Sequence, residues 1–100
     1  MSSDKQDRLK SILAEINEIA TRCDILTNQI QIKHQLQGAK LMEVQVEAKK
    51  ENMDPKILDQ LRMEFINLGE EMLDMSIEMS VASGKTSRLA MKYMDIEAGK

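Results

Sequence analysis

The sequence predicts an all-α fold, and two observations support this. The chain of 100 residues contains one proline, no tryptophan, one phenylalanine, one tyrosine and four glycines. Sheet proteins are richer in aromatic and turn-forming residues, so this composition disfavours strands. Apolar residues also recur at alternating intervals of three and four over long stretches, which is the period of amphipathic helices. We expect one domain over residues 1–100.

The first half of the chain carries a heptad pattern of the kind that forms a coiled-coil seam. Its apolar positions are Leu9, Ile12, Ile16, Ile19, Cys23, Leu26 and Ile30. The pattern predicts a helix over about residues 4–50. After Ile30 the positions that continue the seam are polar, namely Lys33, Gln37 and Lys40. Gly38 adds about 1 kcal/mol of helix cost relative to alanine. We therefore expect a bend or break near Gly38, after which apolar residues resume in another phase at Leu41, Val44 and Ala48.

The clearest helix boundary in the sequence is a predicted turn over residues 51–54. Asp54 can cap the following helix while Pro55 takes its first position, where a missing N–H costs nothing. A second helix is predicted over about residues 55–97. Its seam comprises Leu58, Leu61, Phe65, Leu68, Met72, Met75, Met79, Ala82, Thr86, Leu89, Tyr93 and Ile96. One short turn between two helices of similar length predicts an antiparallel two-helix hairpin, a coiled coil whose core is formed by the two seams.

A second apolar series runs along the second helix, about 150° around the helix from its seam. It contains Met63, Ile66, Leu73, Ile77, Met91 and Met94. Beside it lies a row of small residues, Gly69, Ser76, Ser83 and Ala90. A hairpin covers one seam only, and leaving large apolar side chains in water forgoes roughly 1.5–3 kcal/mol each. We therefore assign the six apolar residues, with Gly69, Ser76 and Ser83, to binding a second copy or a helical partner protein.

Methionine suits such a surface, because its unbranched, polarizable side chain adapts to different partners. The alternative is a three- or four-helix bundle that folds back at Gly38 or Gly84 and uses both series internally, since methionine at helical spacing is usually core.

The charge pattern disfavours a nucleic-acid partner, because the net charge is −3 and no basic face is present. The second helix is nevertheless polarised. Six acidic residues and one arginine lie between Asp59 and Glu78, followed by Lys85, Arg88 and Lys92. Such a pattern either sets the direction and register of a partner or forms a solvated face. No apolar run is long enough to cross a membrane.

No catalytic, cofactor or metal site can be assembled from the sequence. The segment 83–87, SGKTS, resembles the end of a P-loop, but the required earlier glycine is Met79. The single histidine, His34, has no partner in a known ligand motif. Glu43, Glu47 and Glu51 lie four residues apart and are expected to be solvated. We predict that the protein is not an enzyme and has no cofactor.

The compartment is expected to be cytoplasmic. Cys23 is the only cysteine, so the chain cannot form an internal disulfide. The first ten residues lack the apolar core of a cleavable signal peptide. Export by a signal-independent route stays open.

The second half of the chain, from MDPKILDQL through MLDMSIEMSVASGKTSRLAMKYM, resembles the C-terminal helix of small type III secretion proteins that build the needle and inner rod. The features that carry the resemblance are Asp54-Pro55, then Met72, Met75, Ser76, Ile77 and Met79, then Lys85. Chaperones of such systems, also often helical hairpins, are similarly compatible. The resemblance covers about 40 residues and implies a non-enzymatic assembly subunit or chaperone of a bacterial secretion apparatus. The alternative is an intracellular coiled-coil adaptor or scaffold that dimerises through seams 9–30 and 58–96.

Overall fold

The computed structural model describes residues 2–99, with side chains from residue 4 onward, and within this range it contains two α-helices and no strand. Helix α1 spans Ser2–Ala48 and helix α2 spans Pro55–Glu97. The helices pack against each other as an antiparallel hairpin, which confirms the all-α hairpin predicted from the sequence. Neither helix, over the described residues, has an apolar stretch of the length needed to cross a bilayer.

Helix α1 continues through Gly38, so the predicted break there is wrong. One glycine costs only about 1 kcal/mol in a helix, and the residues around it are good helix formers. The seam also keeps its phase, because half-buried Lys33, Gln37 and Lys40 continue the heptad spacing. Helix α2 likewise continues through Gly84.

The expected change of apolar phase after Gly38 is also wrong. The next seam positions are half-buried Val44 and buried Glu47, both in the original phase. Leu41 and Ala48, which suggested the new phase, are exposed. Helix α1 therefore presents one seam from its first turns to its last.

The contacts divide the hairpin into two compact units. The terminal unit contains the residues up to Leu26 and those from Ile77 onward, and the turn unit contains Thr27–Ser76. In the terminal unit the buried cluster is Leu9, Ile12 and Ile96, with Ile16, Leu89 and Tyr93 packed against it. All six belong to the predicted seams, so apolar burial joins α1 to α2 in this unit.

Ion pairs beside the seam align the helices of the terminal unit. Arg22 makes two hydrogen bonds to the Glu78 carboxylate, from Nε at 3.0 Å and from an Nη nitrogen at 3.2 Å. The hydrogen bond to Glu78 raises the pKa of Arg22. Lys85 Nζ of α2 lies 3.1 Å from Glu15 Oε1 of α1 and forms a second ion pair between the helices. Exposed pairs contribute little stability, but they favour one alignment of two helices over others.

In the turn unit the middle of the seam is polar, and each polar group finds a partner on α2. The contacts are Lys33 Nζ to Glu71 at 2.6 Å, Gln37 Nε2 to the Phe65 carbonyl oxygen at 3.3 Å, and Lys40 Nζ to Glu64 at 2.6 Å. The hydrogen bond between Lys40 and Glu64 raises the pKa of Lys40 and lowers that of Glu64. Long side chains can occupy a seam in this way because their alkyl stems pack while their heads reach its edge.

The turn is closed by two carboxylates. The Lys56 amide donates a hydrogen bond to Asp54 Oδ1 at 2.9 Å, which confirms Asp54 as the cap that precedes Pro55. Glu47, at the last seam position of α1, accepts a hydrogen bond from the Asp54 amide at 3.1 Å. It also lies 2.8 Å from Lys50 Nζ and is only 5% exposed. The expectation that Glu47 is solvated is therefore wrong, because this carboxylate ties the end of α1 to the cap of α2.

We expect Glu47→Gln to lower the melting temperature at pH 7. Hydrogen bonds from Lys50 and from the Asp54 amide lower the pKa of Glu47 below its usual 4.5. A carboxyl group with a lowered folded-state pKa stabilises the fold above its unfolded pKa, and this contribution is lost as the pH falls through the folded value. Thermal melts followed by circular dichroism should therefore show a gap between wild type and variant at neutral pH.

That gap should close as the pH falls through the lowered pKa of Glu47, where the wild-type carboxyl becomes protonated. Glu51→Gln is the control, since it makes the same charge change at an exposed residue of the turn and should give little gap at either pH. A Glu47→Gln gap of the same size at neutral and acid pH would contradict the assignment.

Candidate protein-binding surface

The hairpin leaves the second apolar series of α2 uncovered. Its members, Met63, Ile66, Leu73, Ile77, Met91 and Met94, are each 48–60% exposed. They form the outer series, which is continued at the same spacing by Glu70, Ser80, Gly84 and Ser87. Because α2 is one continuous helix, this spacing keeps all ten positions on one face, about 150° from the seam. The face is largely apolar, and α1 does not cover it.

The residues predicted to form the hairpin core lie on the opposite side of α2 and along the facing side of α1. Leu9, Ile12, Leu26 and Leu58 are buried. The remainder are half-buried: Ile16, Ile19, Ile30, Leu61, Phe65, Leu68, Met72, Met75, Met79, Leu89 and Tyr93. Their burial separates the intrachain seam from the exposed outer series.

The four residues of the small row differ in their exposure to solvent. Ser76 and Ser83 are exposed, whereas Gly69 and Ala90 are half-buried. A Cβ atom on Gly69 would lie 2.9 Å from Gln37 Nε2. Gly69 therefore makes room for a side chain of α1, and its assignment to a partner surface is corrected to the hairpin interior. The sequence does contain a signal for the space at Gly69: the long side chain of Gln37 occupies a seam position of α1 and has to be accommodated by α2.

The sequence interpretation missed exposed apolar residues on α1. Ile25, Ile32, Leu36 and Val46 are all exposed, and their 3-4 spacing also includes Gln29, Ala39 and Glu43. Within the turn unit, Ile32 and Leu36 line a shallow groove with Gln29, Lys33 and Met75. The spacing could have identified this stripe, but only three of its members between Ile25 and Ala39 are large and apolar. It is shorter and less continuous than the outer series.

Several charges of α2 form ion pairs with α1, and others do not. Those beside the seam are engaged by α1, and this group comprises Glu64, Glu71, Glu78 and Lys85. The polarised pattern thus aligns α2 with the other helix of its own chain. Asp74 and Arg88, on the far side of the outer series, are exposed and make no ion pair with any described residue. These two charges remain available to a partner.

The described residues offer little to a metal ion. Within them, no group of three or more histidine, cysteine, aspartate or glutamate residues is arranged to hold one. His34 is exposed on α1, and Cys23 is half-buried at a seam position. The surface of the hairpin thus carries an exposed apolar stripe on α2 with charged residues beside it.

Comparison of the chain with protein-family models, with curated proteins and with solved structures found no match in any of the three.

We expect the effect of Gly69→Ala to depend on Gln37. Replacing a helical glycine by alanine gains about 1 kcal/mol when nothing obstructs the new methyl group. Here the methyl group would push the Gln37 amide away from the Phe65 carbonyl and offset part of that gain. In a Gln37→Ala background the full gain should appear. Urea unfolding of the four chains measures the coupling between the two residues.

Gly38→Ala is the matched control, because a Cβ atom at Gly38 meets nothing within 4 Å. It should stabilise the wild type and the Gln37→Ala variant equally. Equal gains from Gly69→Ala in both backgrounds would show that Gln37 does not occupy the space at Gly69.

Proposed function

We propose that this protein is a non-enzymatic helical protein that acts by binding protein through the outer series of α2. One observation carries the proposal: six large apolar side chains are about half exposed on one face, while the seam of the same helix is filled by α1. Exposed apolar stripes on this scale in monomers commonly mark interaction sites. Three of the six are methionines, whose flexible thioether side chains fit binding surfaces.

The accessible area supports the same conclusion. The chain exposes 7495 Å². A compact monomer of 11.4 kDa would expose about 5,800 Å². The excess, about 1,700 Å², is roughly twice the 800 Å² that each partner contributes to an interface of standard size. Association through one or more faces would remove this excess.

For the biological role, we propose an assembly subunit or chaperone of a bacterial, type III-like secretion apparatus. The resemblance of residues 53–94 supports this role, since both kinds of protein act through long helices that bind other helices. Of the residues that carry the resemblance, Met72, Met75 and Met79 are half-buried in the seam, and Ser76 and Ile77 are exposed. Such a protein would act in the cytoplasm or leave it by a signal-independent route.

The alternative is a coiled-coil adaptor or scaffold that dimerises. The seams 9–30 and 58–96 pair with each other within one chain. An adaptor would therefore dimerise through its exposed faces. Mass in solution separates the two roles, because long polymers favour a structural subunit whereas a defined dimer or a one-to-one complex favours a chaperone or adaptor.

We expect Met75→Asp and Ile77→Asp to have different effects, although they lie two residues apart. Met75 is half-buried in the seam, so a charge there should lower helicity and melting temperature together. Ile77 is 53% exposed on the outer series, so a charge there should leave the helix folded but abolish association. Circular dichroism reports folding, and sedimentation equilibrium at micromolar concentration reports association.

The wild type should be larger than its 11.4 kDa monomer mass in the same measurement. A clean monomer with high helicity would overturn self-association and leave only a different protein as the partner. Equal unfolding of the two aspartate variants would overturn the proposed function itself, because it would place the outer series inside the fold.

A further inference from the structure

We propose that the turn unit contains an acid-sensitive switch, formed by Lys33, Lys40 and their carboxylate partners. Acid opens this unit while the terminal unit stays closed. The switch acts whichever protein binds the outer series. Its basis is a difference between the two units in where their charged side chains lie.

The seam of α1 differs between the two units. In the terminal unit every seam position of α1 from Leu9 to Leu26 is apolar or cysteine. In the turn unit three successive seam positions are polar, namely Lys33, Gln37 and Lys40. The side chains of the two lysines are only 26% and 31% exposed, so their ammonium groups depend on partners across the interface. Apolar burial therefore closes the terminal unit, whereas closure of the turn unit requires paired charges.

Carboxylates pair with these two lysines. Lys33 Nζ lies 2.6 Å from Glu71 of α2. Lys40 Nζ lies 2.6 Å from Glu64 of α2 and 3.2 Å from Glu43 of its own helix. When the three carboxyl groups are protonated, both ammonium groups remain charged inside the seam without a counter-charge. That state favours opening, because opening returns the lysines to water.

Glu47 provides a second acid-sensitive contact in the same unit. Its buried carboxylate accepts the hydrogen bond of the Asp54 amide and lies beside Lys50. The hydrogen bond from Lys50 lowers the pKa of Glu47, and the hydrogen bond from Lys40 lowers the pKa of Glu64. Groups with a lowered folded-state pKa stabilise the fold above their unfolded pKa, and this contribution is lost as the pH falls through the folded value. Acid thus weakens the middle and the turn end of this unit together.

The ion pairs of the terminal unit respond less to acid. Arg22–Glu78 and Lys85–Glu15 flank the seam, and each of their four side chains is 43–53% exposed. Exposed pairs contribute little stability, and their cations stay hydrated after the carboxylates are protonated. The cluster that closes this unit is built from apolar side chains and one tyrosine, none of which changes charge in acid. Acid therefore destabilises this unit less than the turn unit.

Opening the turn unit uncovers a second apolar surface on α2. Leu61, Phe65, Leu68 and Met72 are half-buried against α1 in the closed hairpin. Once released from α1 they form an apolar stripe that the closed hairpin withholds from other proteins. The switch thereby links acid pH to the exposure of a binding surface.

Hydrogen–deuterium exchange of the full chain tests the switch, with peptides of each unit followed from pH 7 down to about pH 3. After correction for the intrinsic pH dependence of amide exchange, protection in residues 30–44 and 58–72 should fall about tenfold more than in residues 9–23 and 79–93, as expected for one lost charge-assisted hydrogen bond. Comparing the units within one chain removes the general destabilisation by net charge at low pH. Protection that falls equally in both units, more in the terminal unit, or in neither overturns the inference.

Two matched double variants test which carboxylates act. Glu64→Gln with Glu71→Gln imitates the protonated state, so protection of the turn unit at pH 7 should fall about tenfold, and much of its acid response should disappear. Glu15→Gln with Glu78→Gln makes the same charge change in the terminal unit and should lower protection there by no more than about threefold. Equal effects of the two double variants, or a wild-type acid response in the first, would show that the charged seam is not the switch.

Discussion

Two helices that share a single seam can each cover only one side of the other, and most features of this chain follow from that geometry. Only five apolar side chains among the described residues are buried: Leu9, Ile12, Leu26, Leu58 and Ile96. Ordering the backbone costs about 1–2 kcal/mol for each residue. So small a core contributes little stability beyond this entropic cost, and the exposed face of α2 offers further apolar surface that burial could stabilise.

The polar middle of the turn unit gives the hairpin its alignment. Lys33, Gln37 and Lys40 contribute less apolar burial than leucines would, but each has a partner at one specific place on α2. Sliding the helices by one heptad in one direction would bring Lys40 from Glu64 to Ile57, and Lys40 would then keep only the ion pair with Glu43 of its own helix. Polar groups within a seam can therefore exclude wrong registers at some cost in stability. Glu47 and Asp54 add to this by fixing where α1 ends and α2 begins.

Much of this architecture could be predicted from the sequence, and the failures share a cause. The seam of α2 is apolar at nearly every position, so spacing alone identified it, and Asp54-Pro55 marked the turn by local chemistry. The seam of α1 after Ile30 was missed because its residues are polar and depend on groups on α2. Gly69 was misassigned for the same reason, since the side chain that it accommodates lies 32 positions away at Gln37. Glu47 was misassigned because the fold of the turn brings the Asp54 amide onto its carboxylate, which helical spacing does not show. Local pattern shows which residues are apolar, whereas tertiary partners decide which polar residues are buried.

The distribution of sulfur along α2 has a consequence for oxidative conditions. Met63, Met91 and Met94 present their thioethers on the exposed face, while Met72, Met75 and Met79 are half-buried in the seam. Peroxide converts accessible methionine to the sulfoxide, which is polar and chiral. The exposed thioethers would react first, so oxidation would make the outer face hydrophilic while the hairpin itself stays folded. Reduction by methionine sulfoxide reductases would restore the original surface.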